Sequence, residues 1–337
     1  MPTPDWPDSL LLSQTLESRW ETIREPFTLA MAPHHLSLDA LFNLGTTAIG
    51  MAAWLQQKTT QTPFFLGLNG PQGSGKTTLA AALSWVLENF HGRRCAVFSL
   101  DDLYKTRAER EVMATTIHPL FMTRGVPGTH DVALGLRVFD QLMAAGPKSE
   151  TPLPHFDKRV DDRSPTKDWP LFVGRPDIVI FEGWCVGAFP ETLPALDQPI
   201  NDLESHEDSE GHWRRYANEA LGMDYQTLFE RLNALIVLRI PAFDKVFEWR
   251  LLQEQKLKDT APQGLPGLMD EKAIDRFIKH YERITRHTQW TLPERADMVL
   301  ELDTHHRIAL VTLKHLDQSN ASKEARMPTT PPRSYGA

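Results

Sequence analysis

Five short apolar runs punctuate the chain, at residues 64–68, 95–100, 178–181, 234–238 and 298–302. Each is continuous rather than alternating, as expected for strands buried on both faces of a parallel sheet covered by helices. Helical patterns lie between them. After the first run, Leu79, Leu83, Val86, Leu87 and Phe90 recur at helical spacing. The pattern predicts an α/β fold around a central parallel sheet flanked by helices. Ahead of the first strand, residues 1–60 read as a helical N-terminal extension. Leu10, Leu11, Leu12 and Leu16 begin one periodic segment there, and residues 38–55 form a second, strongly apolar one. Residues 61–316 are assigned to the main domain. Within it, residues 242–270 hold a charged helix over 243–258, after Pro241, then the flexible turn Gly264-Leu265-Pro266-Gly267. Ile274, Phe277, Ile278, Tyr281 and Ile284 give the next helix an apolar packing face. The acidic stretch 197–212 reads as an exposed loop, and 317–337 has the composition of a disordered tail.

Composition narrows the function classes. Hydrophobic residues make up 41% of the 337 positions and charged residues 24%, the balance of a globular protein with a sizeable core. A net charge of −8 argues against a nucleic-acid binder, which needs a basic face. No apolar run reaches the roughly 18 residues that would span a membrane, and the first residues carry neither signal nor transit pattern. Cys95 and Cys185 lack C-x-x-C spacing and fall in or beside apolar strands, so they are expected to be core thiols in a reducing cytoplasm. None of the thirteen histidines forms a pair with metal-ligand spacing on a predicted element, so no protein-only metal site is expected.

The first strand runs directly into Gly70-Pro71-Gln72-Gly73-Ser74-Gly75-Lys76-Thr77, a complete G-x-x-x-x-G-K-[ST] loop, and a helix follows. The backbone of Gly70, Gln72, Gly73, Ser74 and Gly75 is expected to curl around phosphate, with Thr78 at the start of the helix adding partial positive charge. Lys76 would reach the β- and γ-phosphates, and the Thr77 hydroxyl would ligate Mg²⁺. The reading is a P-loop NTPase fold that binds ATP with Mg²⁺.

Other P-loop chemistries lack their marks. There is no third glycine of a dinucleotide fingerprint and no Asn-Lys-x-Asp to read guanine. The third strand ends in Glu182-Gly183 rather than the Asp-Glu pair of a motor ATPase. A single carboxylate at Glu182 can hold Mg²⁺ or its water without positioning a hydrolytic water, which suits phosphoryl transfer. The second strand ends Ser99-Leu100-Asp101-Asp102-Leu103-Tyr104, at the strand edge where an open parallel sheet binds its ligands. Asp101, immediately after the strand, is the candidate base for an attacking hydroxyl. Asp102 either lines the same crevice or caps the next helix.

Asp101-x-Leu103-Tyr104 resembles the Asp-x-Phe-Tyr motif of the phosphoribulokinase and uridine kinase group, whose first Asp is the catalytic base. Leu103 stands where an aromatic residue is usual, which changes packing but not the chemistry of Asp101. Together with the P-loop, Arg124-Gly125-Val126-Pro127-Gly128-Thr129-His130-Asp131, Phe156-Asp157-Lys158 and Glu182-Gly183-Trp184 are similar to the plant-type D-glycerate 3-kinases and their bacterial and fungal kinase-like relatives. Residues 159–164 match that family's loop only in outline. The resemblance spans residues 64–302. It implies a P-loop kinase with a helical lid, transferring phosphoryl from ATP to the hydroxyl of a small molecule. It also implies a basic lid residue that closes on the phosphates; Arg250 is the candidate, its alternative being a solvent-facing helix position.

The acceptor side is assigned to Asp102, Tyr104, Arg124, Thr129, His130, Asp131, Asp157, Lys158 and Arg163. Arg124 offers a planar fork for a carboxylate or phosphate. Thr129 and His130 can hydrogen-bond acceptor hydroxyls. Asp131 either contacts the acceptor or caps the helix predicted over 132–145. Lys158 and Arg163 balance an anionic acceptor, with Asp157 orienting Lys158 or accepting from a hydroxyl; the alternative is a solvated loop. D-glycerate is the favoured acceptor. A nucleoside or pantothenate-like acceptor, or a nucleotide-binding regulatory protein without turnover, are the alternatives.

Overall fold

The computed structural model describes residues 3–7, 13–260 and 269–314. Leu10, Leu11 and Leu12, the turn at 264–267 and the tail at 317–337 lie outside the described residues. Helices α1 (Ser13–Ala30) and α2 (Leu38–Lys58) precede β1 (Phe64–Asn69). There follow α3 (Lys76–His91), β2 (Cys95–Ser99), α4 (Arg107–Thr116) and α5 (Val132–Ala144). Four short strands come next: β3 (Glu150–Pro152), β4 (Phe156–Asp157), β5 (Asp162–Arg163) and β6 (Leu171–Val173). The chain continues through β7 (Ile178–Gly183), α6 (Asp202–Glu207), α7 (His212–Gly222), α8 (Asp224–Phe229) and β8 (Ala234–Arg239). It ends with α9 (Asp244–Thr260), α10 (Glu271–Thr291), β9 (Met298–Leu302) and β10 (Ile308–Leu313).

The central sheet has the order β10-β9-β8-β1-β7-β2, and all neighbours are parallel except β10 on β9. All five apolar runs are strands of this sheet. Alternate side chains of β1 face opposite layers. Phe64, Leu66 and Leu68 pack with α1, α2 and α3, whereas Phe65 packs with α5 and α8. Burial on both faces is why these runs lack alternation. In the sheet register Leu68 lies beside Glu182, and Glu182 beside Ser99. The ends of β1, β7 and β2 therefore bring the P-loop, Glu182 and Asp101 to one edge.

Two features depart from the expectations. The extension at residues 1–60 includes the predicted helices, but it also completes the sheet. Asp5 pairs with β10 through two backbone hydrogen bonds of 2.9 and 2.8 Å, to Ala309 and Val311. The buried Asn43 amide of α2 accepts from Ile308 N at 2.9 Å and donates to Ile308 O at 2.8 Å. An otherwise open sheet edge is thus covered. The stretch 197–212 is no exposed loop. It holds α6, capped by Asn201 (3.0 Å to Glu204 N), and two of its acids, Glu204 and Asp208, are turned inward. Glu204 pairs with Arg283 at 2.6 Å and Asp208 with Arg214 at 3.0 Å, all four side chains being buried. Acidity suggested solvation, but these carboxylates have cationic partners that only tertiary structure supplies.

Candidate active site

The P-loop turns on Gly73 (φ 76°) and Gly75 (φ 86°), left-handed positions that a side chain would strain. A Cβ on Gly73 would also lie 3.1 Å from Trp249 Cβ, so α9 lies directly against the loop. Trp249 in turn stacks on His306, with ring centroids 4.1 Å apart. Thr77 donates to Glu182 Oε1 at 2.8 Å across the gap between loop and sheet. Glu182 is only 3% exposed, and its Oε2 has no hydrogen-bond partner among the described residues. The same is true of the Gln72 amide and the Ser74 hydroxyl. These orphaned polar atoms cluster at the loop, where a triphosphate and a divalent cation would satisfy them. The residues present fit both groups.

Across the crevice, Asp101 accepts from Tyr104 Oη at 2.9 Å and from Lys158 Nζ at 2.7 Å. Burial alone would raise the Asp101 carboxyl; Lys158 and then Lys76 outweigh it and hold the group well below the usual carboxylate range. Asp101 is thus held as an ionised carboxylate near the P-loop lysine. Its neighbour Asp102 has another task. It accepts from Ser99 N at 3.1 Å in a capping box and from Phe156 N at 3.3 Å, which ties the β4 segment to the end of β2. Burial pushes the Asp102 carboxyl up to about 6.

The β4–β5 hairpin is folded over this site and carries Lys158. Its tip residue Asp161 (φ 56°) pairs with Arg124 and, at 3.0 Å, with Arg110, whose side chain is fully buried. Arg124 also lies over the Phe156 ring at 5.3 Å, while its carbonyl accepts from Tyr281 Oη at 3.0 Å. Arg124 is sensed electrostatically by both Lys158 and Arg250, and Asp101 by Arg250, so three cations flank one crevice. Arg250 projects from α9, pairs with Glu254 and lies 5.7 Å over Phe277; its buried Nε has no hydrogen-bond partner among the described residues.

Several assigned side chains turn elsewhere. The Thr129 hydroxyl is engaged inside its own loop, accepting from Gly125 N at 3.0 Å and donating to Val126 O at 2.7 Å. Asp131 caps α5 through Leu134 N at 2.9 Å, and its other oxygen meets Arg163 at 3.1 Å. Arg163 also donates to Tyr104 O at 3.1 Å, so it braces the loop rather than joining Lys158 at the crevice. Asp157 does not orient Lys158; it holds Arg159 through hydrogen bonds of 2.8 to 3.0 Å at the surface. His130 is buried and stacks on Tyr104 with centroids 4.5 Å apart. Sequence reading missed Asp161, Arg110 and Tyr225, and assigned Tyr281 only to packing. None sits in a phosphate-type motif, and the left-handed Asp161 has no signal beyond its residue type.

A P-loop with its Thr–carboxylate pair, a strand-end aspartate and a cationic crevice beneath a helix define a P-loop kinase. No family model matches the chain. It is 34% identical over 238 residues to the uncharacterized kinase mug58 of Schizosaccharomyces pombe, covering 67% of this chain and 81% of that protein. It is 28% identical over 236 residues to the chloroplastic D-glycerate 3-kinase of Arabidopsis thaliana, covering 65% of this chain and 46% of that protein. The fold is shared with the D-glycerate 3-kinase structure from Cryptococcus neoformans var. grubii at a TM-score of 0.64 and 23% identity, covering 80% of this chain and 97% of that one. The chain belongs to the D-glycerate 3-kinase family and its kinase-like relatives within the P-loop kinases.

Proposed function

We propose that the protein transfers the γ-phosphoryl group of Mg-ATP to a hydroxyl of a small carboxylate-bearing alcohol, D-glycerate being favoured. The observation that carries this reading is the ionised Asp101 facing Lys76 at the mouth of the P-loop, with Arg124, Lys158 and Arg250 around it. Thr77 and Glu182 would hold Mg²⁺, which when bound neutralises charge on the phosphate oxygens. Lys76 holds the phosphates, and Arg250 adds positive charge where the transferring group gathers negative charge. Asp101 takes the hydroxyl proton. Arg124 and Lys158 draw in an anionic acceptor better than a neutral one. The names of the Arabidopsis and Cryptococcus relatives support D-glycerate as that acceptor. The N-terminal helices and the domain at 61–316 act as one unit in this reading, with α9 as the lid.

A coupled ADP-release assay over hydroxy acids, nucleosides, pantothenate and sugars tests it. D-glycerate is expected to give the highest kcat/KM, with ADP formed in step with a phosphoglycerate. Turnover of a nucleoside or pantothenate without glycerate would overturn the acceptor while keeping the kinase. Silence across the panel would favour a regulatory nucleotide binder.

A further inference from the structure

We propose that Tyr225 is a positioning residue that fixes His130 as its Nε2–H tautomer, so that His130 donates a hydrogen bond to an oxygen of the acceptor beside Asp101. The inference rests on reading that crevice as the acceptor site. It deepens the reading by naming the group that meets an uncharged or anionic oxygen there.

Tyr225 on α8 and His130 at the end of the Gly-rich loop are both buried, 1% and 2% exposed. Their contact, Tyr225 Oη to His130 Nδ1, is 2.6 Å. The phenol oxygen already accepts from Gly128 N at 3.0 Å. Among the described residues Nδ1 is the one acceptor within hydrogen-bond distance of the phenol, so the phenol proton goes to Nδ1. An imidazole that accepts at Nδ1 carries its proton on Nε2. Gly128 holds its N–H in place through a left-handed turn (φ 98°) pressed on the Tyr216 ring, where a Cβ would come within 2.9 Å.

The opposite ring nitrogen has no such partner. His130 Nε2 is a buried atom without a hydrogen-bond partner among the described residues. A buried N–H donor left unmet is costly and calls for a partner that arrives with a ligand. The ring stacks on Tyr104, whose hydroxyl donates to Asp101 at 2.9 Å, and His130 and Asp101 interact electrostatically. The donor therefore belongs to the same crevice as the base. Burial drives the imidazole down to about 3, which keeps the ring neutral at neutral pH. A hydroxyl or carboxylate oxygen of the acceptor is the partner that suits it.

Nitrogen-15 NMR of the ring nitrogens reads the tautomer directly in the full chain, with no acceptor added. The expected state is Nε2–H at neutral pH. In Tyr225→Phe the tautomer preference is expected to be lost. The KM for the acceptor should then rise about tenfold while the KM for ATP stays within twofold. His130→Gln, whose amide nitrogen reaches the Nε2 position, should retain most acceptor binding and be insensitive to Tyr225→Phe; His130→Asn, which mimics Nδ1, should not. An Nδ1–H or doubly protonated ring at neutral pH overturns the proposal, whichever acceptor is used. So does a Tyr225→Phe protein with shifted tautomer and unchanged acceptor KM, which would leave Tyr225 a structural role only. If D-glycerate is inert, the KM is read with whichever acceptor the panel identifies, so the acceptor reading fails separately from the tautomer. If no acceptor supports turnover, the proposal falls too.

Discussion

Paired with Lys158, the Asp101 carboxylate is a weak base. That suits a loose phosphoryl-transfer transition state, in which the attacking hydroxyl gives up its proton late. Lys158 is the larger of the two lysine influences that lower Asp101, so its removal has a calculable sign. In the wild type Asp101 stays ionised through the ordinary carboxylate range, and it contributes no acid limb there. In Lys158→Met the carboxyl moves back up. The acid limb of kcat/KM is expected to shift to higher pH, with the limb at neutral pH and above altered less. A pH–rate profile from pH 4 to 9 checks this, and superimposable acid limbs would show that the ion pair does not set the base. Asp102 shows the contrast one residue away. It has the same chemistry but is engaged by two backbone N–H groups, so its role is to hold the β4 segment in place.

Among the elements, the N-terminal helices do more than precede the catalytic ones. Trp6, Trp20, Phe27 and Trp54 share one continuous core with β1, α3 and Trp249 of α9. Asn43 links this core to β10 through both polar groups of Ile308. Asn43→Ala leaves a buried N–H and a buried C=O unpaired, and about 2–4 kcal/mol of unfolding free energy should be lost in urea titration. A loss under about 0.5 kcal/mol would mean that the edge is held by other contacts. The strand β10 itself was not legible in the sequence. Only Ile308 and Val311 are buried along its six residues, too sparse a pattern to stand out from a loop. The five central strands were legible because burial on both faces makes each a continuous apolar run. Helix α5 was equally plain, from its Asp131 cap and the period that follows. Helix α6 was obscured by acids whose partners, Arg283 and Arg214, lie far off in sequence or on another helix.

For the molecule as a whole, the nucleotide half of the site is written contiguously and the acceptor half is not. Eight adjacent residues specify the P-loop, and Asp101 and Glu182 follow from strand ends at one sheet edge. The proposed acceptor crevice draws on Arg124, the Lys158–Asp161 hairpin, Tyr225 of α8, Arg250 of α9 and Tyr281 of α10, five segments that meet only in the fold. Motifs pointed to Arg124, His130 and Lys158. The residues that orient them, Asp161, Arg110 and Tyr225, lie outside every motif. The central claim is that this assembly moves phosphoryl to an acceptor hydroxyl with Asp101 as base. Transfer of label from γ-³²P-ATP to D-glycerate, in the wild type and in Asp101→Asn, tests it most directly. Label is expected in a phosphoglycerate for the wild type. For Asp101→Asn transfer should be slower by about 10²–10⁴, with ATP affinity nearly unchanged. Label released only as inorganic phosphate, or equal transfer by the two proteins, would contradict it.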